Sequence, residues 1–270
     1  MLMESMRLME SPSPAAPIAP DGGTQQFYVA ALRRLDEVGI PYVVGGGYAM
    51  AHYTGIARNT KDLDIFVKPS DTKTVLETME KAGYRTEYFY RFWIAKALCG
   101  ESFIDILYNS GNGLCPVDED WFKHAQDVEV HGYKTKLVPA EEQLFSKAFV
   151  MDRDRFDGTD VNHLILAQGR KMDWKRLLRR FISHERVLMA HLMLFGYAYP
   201  SERGVVAGWV MDELQKRIAA EPKRPQRICF GTNMSQRGYG VPIREWGFLD
   251  GRLKPHGPLS GEEVGQLPEA

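Results

Sequence analysis

Between residues 24 and 38 the apolar side chains Phe27, Tyr28, Ala31, Leu32, Leu35 and Val38 recur at helical spacing, and Gly39 stops the pattern. The period then shortens. Residues 41–44 read as a brief strand, Gly45-Gly46-Gly47 as a turn, and residues 48–53 as a helix closed by Gly55. Residues 62–67 form a strand, and Ser70 caps a helix carrying Val75, Leu76 and Met79 as far as Gly83. Aromatic and β-branched residues over 84–98 predict one or two strands, with Cys99-Gly100-Glu101 turning into a further strand through Asp105. Residues 117–125 suggest a short helix, followed by a hairpin of 127–130 and 133–138 about His131-Gly132.

From Pro139 onward the pattern is almost wholly helical, with helices over 140–151, 160–168, 173–182, 185–197 and 205–219. Pro139 suits a first turn, and Glu141-Glu142 complement the dipole there. The residues after 220 hold Gly, Pro and scattered aromatics with little period. These patterns predict an α/β (α+β) chain. A mixed-sheet domain over 23–138 precedes a helical domain over 139–220 and an extended tail over 221–270. The Ser-Pro-Ala-Pro content of residues 1–22 reads as a disordered leader.

Composition narrows the class of protein. At 270 residues, 44% hydrophobic and 26% charged, the chain is ordinary for a globular protein with one large core or two small ones. A net charge of −1 gives no global pull toward nucleic acid, but residues 170–227 hold 13 Lys+Arg against 6 Asp+Glu. That stretch offers a polyanion a surface, or is the solvated side of ordinary helices. Cys99, Cys115 and Cys229 lack disulfide or zinc spacing and fit a reducing cytoplasm. No apolar run reaches the ~20 residues of a bilayer span, so no membrane partner is expected.

The chemistry concentrates in three places. In Asp62-Leu63-Asp64 the two carboxylates stand one residue apart, so on a strand they share a face while Leu63, Ile65 and Val67 take the other. Asp105, between Ile104 and Ile106, is an acidic outlier in a second apolar strand, where an unpaired carboxylate is costly. If those strands are neighbours, the three suit two Mg²⁺ (or Mn²⁺) about 3.5–4 Å apart, the arrangement for in-line phosphoryl displacement. Gly45-Gly46-Gly47 lets backbone N–H groups approach a triphosphate beside a helix N-terminus. The same glycines partly imitate a dinucleotide fingerprint, but Met50 replaces the third small residue and Asp64 begins its strand.

The order Val44-Gly45-Gly46-Gly47, Asp62-x-Asp64, then Asp105 resembles the nucleotidyltransferase superfamily that includes DNA polymerase β. Residues 57–64, with Arg58, Thr60 and Asp62-Leu63-Asp64, look like the form common in small bacterial members, including toxin-type and abortive-infection enzymes. The resemblance covers roughly 40–165, although the 14 residues between Gly47 and Asp62 exceed the spacing of many members. It implies that Gly46 and Gly47 hold an NTP triphosphate. Asp62, Asp64 and Asp105 would hold the metals, with Asp105 also a candidate base. Arg58 would lie near the phosphates or brace Asp62, and Lys147 would lie near the phosphates from its helix or be a surface lysine. Arg153, Arg155, Asp157 and Asp160 match a charged turn of the family; Asp160 is expected at the cleft and the others in caps and ion pairs.

On this reading the chain moves a nucleoside monophosphate from an NTP to an acceptor hydroxyl and releases pyrophosphate. The acceptor is an RNA end, a protein or a small hydroxyl compound. The alternative is a non-catalytic nucleotide- or partner-binding module, one half of a toxin–antitoxin pair with an antitoxin-like protein partner. The tail, rich in polar and aromatic groups, wraps the domain or covers its cleft.

Overall fold

A computed structural model describes residues 21–57, 60 and 62–267. Most of the expected leader lies outside them; Asp21 and Gly22 already belong to a helix start. The Asp21 carboxylate accepts from Thr24 N at 2.9 Å and caps α1 (Gly22–Glu37). The mixed half continues through β1 (Val43–Val44), α2 (Gly46–Thr54), β2 (Leu63–Phe66), α3 (Thr72–Lys81), β3 (Arg85–Tyr90), β4 (Ile94–Cys99) and β5 (Ser102–Leu107). It ends with α4 (Glu119–Lys123) and the hairpin β6 (Gln126–Val130) and β7 (Tyr133–Leu137). His131 and Gly132 carry that hairpin turn with φ of 50° and 78°.

The strands form one seven-stranded sheet in the order β3-β4-β5-β2-β1-β7-β6. Pairing is mixed: β2 runs parallel to β5 and β1 to β7, while β1–β2, β3–β4, β4–β5 and β6–β7 are antiparallel. An antiparallel β1–β2 pair removes the dinucleotide-binding reading, which requires parallel neighbours around the glycine turn. Leu63, Ile65, Ala95, Ala97, Ile104 and Ile106 alternate onto one face and are fully buried. The opposite face carries Asp64, Asp105 and Lys96.

The second half comprises α5 (Ala140–Ala148), α6 (Gly158–Gln168), α7 (Trp174–Arg180), α8 (Glu185–Ala198) and α9 (Gly208–Ala219). A single apolar cluster runs from Phe27 through the sheet to Leu214, so both halves share one core. Boundaries shift where tertiary contacts win. Asp71, not Ser70, occupies the cap position of α3. The helix expected to reach 151 stops at Ala148 because Met151 bridges Phe156 and donates its N–H to Met234 O at 3.2 Å. Residues 200–205 form a separate 3₁₀ turn ahead of α9.

After α9 come only short elements: β8 (Ile228–Cys229), α10 (Gly240–Arg244), β9 (Leu249–Asp250) and α11 (Gly261–Gly265). This tail packs back onto both halves. Asn112 Nδ2 donates to Asn233 O at 2.8 Å, and Ser235 Oγ to Asp152 Oδ1 at 3.0 Å. Among the described residues no helix is long and apolar enough to cross a membrane.

Candidate active site

The β2–β5 register sets Asp64 directly opposite Asp105, because Leu63 must face Ile104 and Ile65 face Ile106 in the core. Asp62 lies one residue before β2, its carboxylate accepting from Thr60 Oγ1 at 3.0 Å. Each of the three offers an oxygen within 4.8 Å of the others. Gly46, at φ +55°, sits under Asp64: a Cβ there would lie 1.6 Å from Asp64 Oδ2. Gly45 N donates to Asp64 O at 3.0 Å and ties the turn to the strand. A Cβ on Gly47 would meet Thr60 Oγ1 at 3.0 Å. The first turn of α2 therefore stands against the carboxylates, with its unpaired N–H groups beside them.

Burial pushes the Asp64 carboxyl up to about 7, and the charges of Asp62 and Asp105 push it the same way. Burial raises Asp105 too, although Lys96 Nζ at 2.5 Å opposes the shift. The chain thus crowds acidic oxygens and supplies too little positive charge to balance them. Asp62, Asp64 and Asp105 offer three hard oxygen donors that could hold a divalent cation.

Lys147, from α5, lines the same cleft and lies 3.0 Å from Asp157 Oδ2 and 2.8 Å from Asp160 Oδ2. In the charged turn Asp157 stands at the N-cap of α6 and pairs with Arg155 as well as Lys147. Asp160 is buried behind Lys147 and does not line the cleft, whereas Arg155 and Asp157 do. Burial works against the Asp157 carboxylate, yet Arg155 and Lys147 hold it below its ordinary range. Arg153 is exposed. Arg58 falls outside the described residues.

Lys96, beside Asp105, and Gln143, beside the glycine turn, are among the residues the sequence reading did not single out. Lys96 pairs across β4–β5 with Asp105, its ammonium 4.0 Å from the Phe103 ring centre. Its one signal was a lone charge inside Ile94-Ala95-Lys96-Ala97-Leu98. Gln143, on the first turn of α5, borders the glycine turn, where a Cβ on Gly45 would meet its Oε1 at 3.3 Å. The cleft encloses about 650 Å³; a larger hollow of about 860 Å³ lies by the β6–β7 hairpin, away from the carboxylates. The basic run on α7 does not face the cleft. Arg176 is buried against Glu141 and Glu142, and Arg180 against Glu142 and Asp118.

No curated protein matches this chain. Among solved structures, the antibiotic-resistance factor ANT(2″)-Ia shares 16% identity at a TM-score of 0.46, over 64% of this chain and 98% of its own. The lincosamide antibiotic adenylyltransferase LnuA, bound to lincomycin, shares 20% at 0.38, over 53% and 96%. JHP933 from Helicobacter pylori shares 12% at 0.38, over 75% and 97%. Likeness at these values says nothing about the acceptor of this chain. The pattern of a family described as "Uncharacterised nucleotidyltransferase" matches residues 25–198, more than half of the chain, and takes in the glycine turn, all three aspartates and Lys147. The chain belongs to that nucleotidyltransferase family.

Proposed function

We propose that the protein transfers a nucleoside monophosphate from an NTP to an acceptor hydroxyl and releases pyrophosphate. The observation that carries this reading is the convergence of Asp62, Asp64 and Asp105 beside the Gly46-Gly47 turn in one cleft. Divalent cations bound by the three carboxylates would neutralise the triphosphate and the charge that develops at the α-phosphorus.

The remaining roles belong to the chain. The N–H groups at the start of α2 cradle the β- and γ-phosphates, which approach closely because Gly46 and Gly47 have no side chains. Lys147, oriented by Asp157 and Asp160, presents its ammonium to the same phosphates. Asp105, held by Lys96, accepts the proton of the acceptor hydroxyl as its oxygen bonds to the α-phosphorus. The bond from the α-phosphorus to the bridging oxygen breaks in line, and pyrophosphate carries that electron pair away. Positioning and charge neutralisation supply most of the rate.

The test is label transfer from α-³²P-labelled NTPs with Mg²⁺. Asp64→Asn is expected to lower transfer at least about a hundredfold while circular dichroism stays unchanged. Wild-type transfer rates in that folded variant would sink the mechanism.

A further inference from the structure

Among the described residues three cations line the cleft, Lys147, Arg155 and Arg252, and one of them is open to solvent. The Arg155 side chain is 70% exposed, against 12% for Lys147 and 5% for Arg252. Lys147 is enclosed by Asp157 and Asp160, and Arg252 by Asp250 and Gln236. Arg155 is thus the cation that an entering anion meets. Its pairing adds little to the fold, because an ion pair with one partner in solvent contributes about 1 kcal/mol at most and Asp157 already has Lys147 beside it.

The guanidinium is nevertheless held in one orientation. Nε donates to Asp157 Oδ1 and Nη2 to Asp157 Oδ2, both at 3.0 Å, a fork-to-fork pair that fixes its plane. Two of the five N–H groups of an arginine are used there, and three remain on Nη1 and Nη2. The backbone beneath is a closed turn: Asp152 N donates to Arg155 O and Asp157 N to Val150 O, each at 2.9 Å. The tail holds that turn from outside. Met151 N donates to Met234 O at 3.2 Å, Ser235 Oγ to Asp152 Oδ1 at 3.0 Å and Arg237 Nη1 to Asp154 Oδ2 at 2.9 Å.

Placement ties this group to the phosphates rather than to the acceptor. Asp157 is the N-cap of α6, and both α5 and α6 pack on α2, the helix that begins in the glycine turn. Lys147 stands one turn along α5 from Gln143, which borders Gly45. The Arg155 guanidinium, held charged chiefly by its bond to Asp157, also feels the Asp64 carboxylate, so it reaches the acidic corner of the cleft. Charge gives the same answer. Lys147 alone faces two carboxylates, a group that would repel a triphosphate, and Arg155 brings that group to balance. Resting on the nucleotidyl-transfer reading, we propose that Arg155 grips the two phosphates that leave as pyrophosphate, its three remaining N–H groups bonding their oxygens while Asp157 keeps the guanidinium in plane. The β- and γ-phosphates are then held from two sides, by the N–H groups of α2 and by Arg155, and the α-phosphorus is left to the carboxylates.

The test measures binding to the full chain by calorimetry, with Mg²⁺–pyrophosphate, with each Mg²⁺–NTP and, as the control, with each nucleoside monophosphate. Arg155→Gln should weaken Mg²⁺–pyrophosphate and the preferred Mg²⁺–NTP about tenfold or more and leave the monophosphate unmoved. Arg155→Lys, which keeps the charge and loses the fork, should fall between. Arg153→Ala, at a neighbouring exposed arginine outside the cleft lining, should bind as the wild type does. Undiminished affinity for pyrophosphate and NTP in Arg155→Gln would overturn the assignment and leave nucleotidyl transfer standing. A lowered Tm with equal losses for all three ligands would reduce Arg155 to a structural ion pair and overturn it as well. A wild-type chain that binds no NTP with Mg²⁺ would overturn both readings together.

Discussion

A methyl group on Gly46 would land 1.6 Å from an Asp64 oxygen, at a φ of +55°. No rotamer of Asp64 relieves this without moving the carboxylate that the site depends on. Gly46→Ala is therefore expected to cut transfer by about a hundredfold or more through displacement of Asp64. Gly83→Ala is the control: its φ is +89° but nothing lies within 4 Å, so it should cost about 1 kcal/mol of stability and leave transfer intact. Equal losses of activity in steady-state assays would refute the steric account. At this scale the sequence was most readable where chemistry and backbone rule coincide, as in the glycine turn and the Asp62-x-Asp64 pair. Lys96 was unreadable because its meaning depends on a cross-strand partner. Only the register shows the row Glu87, Lys96, Asp105, Asp64 running across four strands.

At the scale of elements, α7 looks amphipathic and basic, yet its charge is partly structural. Arg176 is 4% exposed and its guanidinium grips Glu141 at 2.5 Å and Glu142 at 2.9 Å, pinning α7 to the first turn of α5. Burial pushes the Glu142 carboxyl up to about 7 even with Arg176 and Arg180 beside it. Arg176→Ala leaves buried carboxylates without their counter-charge and should cost about 3–5 kcal/mol in urea denaturation. Lys175→Ala, on the exposed side of the same helix, should barely move the midpoint; similar losses for both would place Arg176 at the surface. The helical period located α5 to α9 well, because apolar stripes encode which face is buried. It could not show that Arg176 crosses to the core, since an arginine reads as surface until its partners are placed. Nor could it show α5 ending at Ala148, where a strand-like bridge and the bond that Met151 N–H donates to the tail replace the last turn.

Across the whole molecule, the cleft draws on strands early in the chain, a helix near its middle and a tail near its end. The tail contribution was the least legible part, because segments without period give no sign of what they pack against. The carboxylates also couple the site to global stability. Asp64 is shifted from 3.8 to about 7, so between those values the folded protein without metal keeps a proton that the unfolded chain has released. Stability should therefore fall as pH rises through about 4 to 7. The fall should shrink in Asp64→Asn, and saturating Mg²⁺ should restore the wild type by binding only the folded state. Calorimetric Tm values across pH, with and without Mg²⁺, check this; parallel curves for the two proteins would refute it.

The facing of Asp64 and Asp105 across β2 and β5 has a consequence for how this sequence drifts. Like charges directly opposite are unfavourable in a sheet, and this register is enforced by the apolar face behind them. Folding and catalysis thus pull against each other at one cross-strand pair. A neutral replacement of Asp64 would relieve that repulsion and gain stability, whereas one of Asp105 would strip the half-buried Lys96 of its counter-charge. Here both acids remain, and the fold carries the cost of their crowding.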